Sequence, residues 1–186
     1  MKLHASRSWL SLSLLSMFLF SCAMAQEANG GPVKEFQDRI DNYLSIQKKQ
    51  GIAKKPTESP SKLAEEKQKT AEKTQQARPA AQRGDIFTPT VSAYFKRQIE
   101  STLHGPEGSK VRASLRHAEP LPNVQLRVNA RYPRNLPLQS TPPTLLKNLP
   151  PLPKELQYRI VGSALVLYDM SSGLVVDFIP GAVPAA

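Results

Sequence analysis

Asn129, Arg131 and Tyr132 stand within four positions of one another, in a stretch stiffened by Pro133. A guanidinium beside an aromatic ring can grip an anionic or planar ligand, through paired N–H donors and through its flat face. The same residues also suit a structural task, with Tyr132-Pro133 packed on a sheet and Arg131 capping carbonyls. The spacing favours the structural task and leaves binding open. Arg159 is the fourth binding candidate. It lies in an alternating apolar run and flanks Val166 together with Asp177, so the two could meet across that side chain.

Paired carboxylates are the other chemistry worth weighing. Asp169 and Asp177 fall on neighbouring predicted strands, and two carboxylates could hydrolyse wall sugars. Asp169 stands beside a turn, where Asp is favoured for hydrogen bonding, and Asp177 has Arg159 as a partner. His104 falls at a helix end and His117 beside Arg116, with no Gly-x-Ser-x-Gly elbow, so surface histidines are the better reading. Arg83-Gly84-Asp85 matches an adhesion tripeptide, but three residues recur by chance, and a turn before a helix explains them. No phosphate-binding loop, dinucleotide fingerprint or His-Glu-x-x-His motif is present. The sequence therefore supports no catalytic residue, no metal site and no cofactor.

Residues 1–25 have the three parts of a secretory signal. Lys2 and Arg7 form a basic start, Trp9 to Phe20 an apolar stretch, and Ala23-Met24-Ala25 a small-residue site ahead of Gln26. Cleavage between Ala25 and Gln26 is the expected outcome. Leu19-Phe20-Ser21-Cys22 loosely matches a lipobox, so lipidation at Cys22 is the minority reading. The apolar run is short for a membrane span, which needs about 20 residues, and none follows in the mature chain.

Cleavage leaves 161 residues and takes the net charge from +10 to +8. That is one domain with a basic balance, attractive to anionic wall or membrane components. Cys22 is the only cysteine, so the mature chain has no disulfide, cysteine–zinc site or thiol nucleophile. Export and the absence of an aromatic-studded basic run argue against nucleic acid as a partner.

The positioning elements follow from periodicity and prolines. A polar lead covers residues 26–32. A single α+β domain is expected over 33–180: a helical part at 33–119, a Pro-rich segment at 120–153 and a β-meander at 154–180, with a tail at 181–186. Val33, Phe36, Ile40, Tyr43 and Leu44 predict an amphipathic helix over 33–50, stopped by Gly51. Ser59-Pro60 and Thr88-Pro89 look like caps followed by first-turn prolines. The first opens a solvated helix whose only large apolar residue is Leu63, partly short of the apolar groups needed for order; the second opens a helix with Val91, Tyr94, Phe95, Ile99 and Leu103 inward. A short helix is expected near 109–116. Nine of the seventeen prolines fall within 120–153, which rules out a long helix or central strand there. Val124, Leu126 and Val128 suggest one short strand. From residue 155, alternation and turns at Gly162-Ser163 and Met170–Gly173 predict three antiparallel strands. Pairing 169 with 174 puts Tyr158, Ile160, Leu165, Leu167, Val176 and Phe178 on one buried face. The helices 33–50 and 88–104 would cover that face.

Gly84-Asp85-Ile86-Phe87-Thr88-Pro89, Val128-Asn129-Ala130-Arg131-Tyr132-Pro133, Pro142-Pro143-Thr144-Leu145-Leu146 and Leu149-Pro150-Pro151-Leu152-Pro153 are distinctive as a set. With Tyr158-Arg159-Ile160-Val161-Gly162 and the strands that follow, the chain resembles a family of small, uncharacterised exported bacterial proteins. The resemblance implies one exported folded unit and brings no activity with it. The expectation is an exported envelope protein, periplasmic or secreted (tethered if Cys22 is lipidated), acting as a non-catalytic interaction or binding module. Its partner would be another envelope protein or an anionic wall or membrane component. The alternatives are an atypical hydrolase of cell-wall polymers and a subunit of a surface assembly that docks by a sheet edge.

Overall fold

Proline opens four of the five helices among the described residues, where a fixed φ and a missing N–H cost nothing. A computed structural model describes residues 31–51, 59–116 and 124–184. The elements are α1 (Pro32–Lys49), α2 (Pro60–Ala77), α3 (Pro89–His104), α4 (Gly108–Arg116), β1 (Ala130–Arg131), β2 (Gln139–Ser140), α5 (Pro143–Lys147), β3 (Leu156–Val161), β4 (Ala164–Asp169) and β5 (Leu174–Ile179). The arrangement is α+β, with helices mostly N-terminal and an antiparallel sheet ordered β1-β5-β4-β3-β2. Residues 1–30, with the expected signal segment and its Cys22, Ala25 and Gln26, lie outside the described residues, as does His117.

Thr88 caps α3 as expected, its hydroxyl accepting from Val91 N–H at 3.3 Å. Ser59 holds the equivalent position before α2 without capping, its hydroxyl lying 3.0 Å from that of Ser61. The long helix α2 buries only Ala71 and Thr74, and Leu63 remains 45% exposed. Its single large apolar residue cannot make a stripe, so it packs thinly. α4 follows α3 closely because residue 108 is glycine: a Cβ there would lie 2.0 Å from the Leu103 carbonyl oxygen.

α1 and α3 cover one face of the sheet. Phe36, Phe87, Phe95 and Tyr158 interlock there, with Phe95 edge-on to Phe36 at 5.0 Å and to Phe87 at 5.1 Å between ring centroids. Tyr158 donates its hydroxyl to the Pro150 carbonyl at 2.9 Å, which ties the Pro-rich strap to β3.

Three expectations about the sheet are corrected. First, both faces are buried, not one. Residues 124–140 fold over the second face, where Val124, Leu126, Leu136 and Leu138 meet Tyr132, Val161, Ala164, Val166 and Val175. The leucines of a Pro-rich segment need a dry surface, and the outer face of the sheet supplies it. Second, Val124–Val128 is not a strand. Pairing begins only after Asn129, whose left-handed φ of 60° turns the chain so that its N–H reaches the Val175 carbonyl at 2.8 Å. Third, β5 carries a bulge. Tyr168 pairs with Val175 but Leu167 pairs with Asp177, so Val176 is the extra residue. The bulge swaps two side chains: Asp177 turns toward the helical layer, and Phe178 goes to the outer face, where Arg83 lies 5.9 Å from its ring centroid. Ala182 and Val183, read as tail, are buried, and both donate to the Ser163 carbonyl.

Candidate functional site

The carboxylates considered for hydrolysis are fully buried and fully engaged in holding the fold. Asp169 closes the β4–β5 turn, its Oδ1 accepting from Ser171 N–H at 2.7 Å and from the Ser171 hydroxyl at 2.6 Å. Its Oδ2 accepts from the Tyr43 hydroxyl at 2.7 Å, from the Ser172 hydroxyl at 2.8 Å and from Gln47 Nε2. Burial, and next the Asp169 charge, hold the Tyr43 phenol well above its ordinary range; Arg78, 5.0 Å from the ring centroid, opposes this.

Asp177 performs the parallel task for the loop before α3. It accepts from Gly84 N–H at 3.1 Å, Ile86 N–H at 2.9 Å and Phe87 N–H at 2.8 Å, and from its own neighbour Phe178 N–H at 2.8 Å. Gly84, at φ +94°, gives the bend that aims these amides at one point. Arg83-Gly84-Asp85 is thus built around the Asp177 anchor. Asp85 itself accepts from Gln82 N–H at 3.0 Å and pairs with Arg78 at 3.4 Å, and Arg39 holds its carbonyl. The expected meeting of Asp177 with Arg159 does not occur, because the bulge sends them to opposite faces. Arg159 instead donates to the Ser140 hydroxyl at 2.8 Å and to Gln157 Oε1 at 2.5 Å. His104 caps its own helix end, with Nδ1 2.9 Å from the Glu100 carbonyl oxygen.

The Asn129 group divides by role. Asn129 is a structural clasp: its Nδ2 donates to the Arg78 carbonyl at 2.9 Å, and its own carbonyl accepts from Gln75 Nε2 at 2.8 Å. It joins the end of α2 to the sheet. Tyr132 is buried against the outer face, and its hydroxyl donates to the Pro137 carbonyl at 2.8 Å. Arg131 is different. It lines a half-open groove of about 300 Å³ between the first turns of α2 and the outer face of the sheet. Lys67, Arg134, Tyr132, Tyr168 and Leu63 also line it, and no carboxylate does. Among the described residues, the side chains of Lys67, Arg131 and Arg134 make no hydrogen bond or ion pair. Burial raises the Tyr168 phenol above its ordinary value and Asp169 adds to this; Arg159, Arg131 and Arg134 pull it down.

Sequence reasoning found Arg131 and Tyr132 and missed Lys67, Arg134 and Tyr168. Lys67 belongs to a mixed-charge helix and Tyr168 to a core strand, so no local pattern joins them; only the docking of α2 does. Among the described residues no group of His, Asp and Glu is placed to hold a metal ion, and no helix is long and apolar enough to cross a membrane. Comparison with known proteins finds no family model, no curated protein and no solved structure that matches the chain, so a functional reading rests on the groove itself.

Proposed function

We propose that this protein is an exported, non-catalytic binding module of the cell envelope, and that its groove holds an anionic wall or membrane component. The observation that carries the reading is a groove with three unneutralised cations, two tyrosines and no lining carboxylate. Phosphate or carboxylate groups would meet Lys67, Arg131 and Arg134, and the apolar body beside them would lie on Tyr132, Tyr168 and exposed Leu63. The two buried aspartates serve the fold, which leaves the hydrolase alternative without its acid–base pair. Export is supported by the basic, apolar and small-residue parts of residues 1–25.

The test is retention of the mature protein on phosphatidylglycerol vesicles, on phosphatidylcholine vesicles and on purified cell-wall polymer, at low and physiological salt. Retention on one of the anionic materials, weakened by salt and lost in the Arg131→Ala/Arg134→Ala double variant, is expected. The material retained identifies the source of the anion. A folded protein that binds neither anionic material overturns the reading. Intact mass of the envelope-derived chain separately checks export: a start at Gln26 or an acylated Cys22 agrees with it, and an uncleaved Met1 refutes it.

A further inference from the structure

A second cleft, independent of the groove, opens on the opposite edge of the sheet. It measures about 500 Å³ and lies between β3, the β2–α5 connection and the Pro-rich strap. Its floor is apolar: Leu146, Pro150, Pro151, Leu152 and Tyr158. Leu146 is 43% exposed, although its neighbour Leu145 is wholly buried. α5 begins with Pro143 and the strap is pinned by the Tyr158 hydroxyl, so the walls are stiff before anything binds.

One end of this apolar cleft is polar and cationic. Arg159 lines it with Ser140, Thr141 and Gln157. The partners of the Arg159 guanidinium are both neutral, Ser140 Oγ and Gln157 Oε1, and its Nε is buried without a partner. The Thr141 hydroxyl oxygen is also buried without a partner. A guanidinium prefers a two-oxygen anion in its plane, where donor and acceptor both carry charge and two parallel bonds form. The Ser140 and Gln157 oxygens therefore stand where an anionic ligand's oxygens would bind better. The strand edge beside the cleft is already engaged, by Ser140 opposite Arg159 and by the Pro153 carbonyl on Leu156 N–H. An occupant must fit through its apolar body and its charged end, not by adding a strand.

We propose that this cleft binds an alkyl carboxylate, with the carboxylate on Arg159 and the chain along Leu146, Pro150, Pro151 and Leu152. The carboxylate displaces Gln157 Oε1 from the guanidinium, and the unpartnered Thr141 hydroxyl of the same cleft is a further donor. The open side of the cleft, past Leu146, is where the tail of a longer chain would leave.

The experiment titrates the isotope-labelled mature protein with dodecanoate below its micelle concentration, beside dodecanol and dodecyltrimethylammonium. Dodecanoate is expected to give saturable shifts centred on the amides of Thr141, Leu146, Gln157 and Arg159. Dodecanol should bind about tenfold more weakly or worse, the loss expected when a charged acceptor is replaced by a neutral one, and the ammonium should not bind. Arg159→Gln should weaken dodecanoate by a similar factor while leaving dodecanol unchanged. Leu146→Asp, at an exposed position that does not support the core, should abolish binding in a folded chain. Equal affinity for dodecanol, shifts clustered elsewhere, or no saturation with folded protein overturns the proposal.

Discussion

Replacing Asp177 tests whether a single carboxylate organises the junction between sheet and helices. Four main-chain N–H groups converge on it, from Gly84, Ile86, Phe87 and Phe178. Its side chain is wholly buried, so water does not replace it readily. Asp177→Ala leaves these amides without an acceptor, at about 1–3 kcal/mol for each one that stays buried. Gly84 is half-buried and can recover a water. Ile86 and Phe87 cannot, because both belong to the helix-face core. For these two the sum is about 2–6 kcal/mol, a large part of the roughly 5–15 kcal/mol that holds a domain together. Asp177→Asn keeps the shape and one acceptor oxygen. Its amide nitrogen would then face the Phe178 N–H, donor against donor, for a loss of about 2–3 kcal/mol. The assay is urea unfolding followed by circular dichroism, with the slope compared between variants so that only midpoint changes count. If the Ala variant fails to fold, the Asn variant still gives the answer. A loss under about 1 kcal/mol in Asp177→Asn, with Ile86 and Phe87 amides still protected from exchange, would refute the anchoring argument.

Two further predictions concern stability. Burial holds the phenols of Tyr43 and Tyr158 above their ordinary range, with the Asp169 charge acting on the first and Tyr94 on the second. The unfolded chain then loses these protons from about pH 10 while the folded chain keeps them, so stability is full below pH 10 and falls above it. Each such group adds a slope of about 1.4 kcal/mol per pH unit above pH 10; urea midpoints between pH 8 and 11 check it, and a Tyr158→Phe variant should lower the slope by that one group's share. Gly108→Ala sets propensity against sterics: alanine favours a helix by about 1 kcal/mol, but its Cβ would meet the Leu103 carbonyl oxygen at 2.0 Å. Overpacking of about 2–3 kcal/mol wins, so thermal melting should show a net loss, while Ser109→Ala, exposed one position on, should not.

Much of the fold was legible because periodicity is local. The apolar spacing of α1 and α3, the prolines at helix starts and the alternation of β3 and β4 each announce an element without reference to anything distant. The Pro-rich segment was legible in what it excludes and illegible in where it goes. Val124 and Leu126 alternate like a strand but serve as a lid over the outer face, since burial and not pairing is what their side chains obtain. The bulge in β5 left no mark in the sequence. Val176, Asp177 and Phe178 read as simple alternation, and only the pull of three loop amides on Asp177 reorders them.

The candidate sites divide on the same principle. From sequence alone came the α+β class, the lone cysteine, the basic balance and the suspicion attached to Arg131, Tyr132 and Arg159. Tertiary structure decided which suspicions survive. Asn129 became a clasp for α2 because the end of that helix has carbonyls to satisfy and the sheet edge passes beside it. Asp169 and Asp177 became anchors because each is sealed among donors that come from far along the chain. Arg131 joined Lys67, Arg134 and Tyr168, residues up to about a hundred positions apart, because α2 packs on α1 and its end is clasped by Asn129 beside the sheet edge. Sequence fixes a residue's type and its neighbours along the chain; a site depends on neighbours across the chain, and burial and pairing choose those.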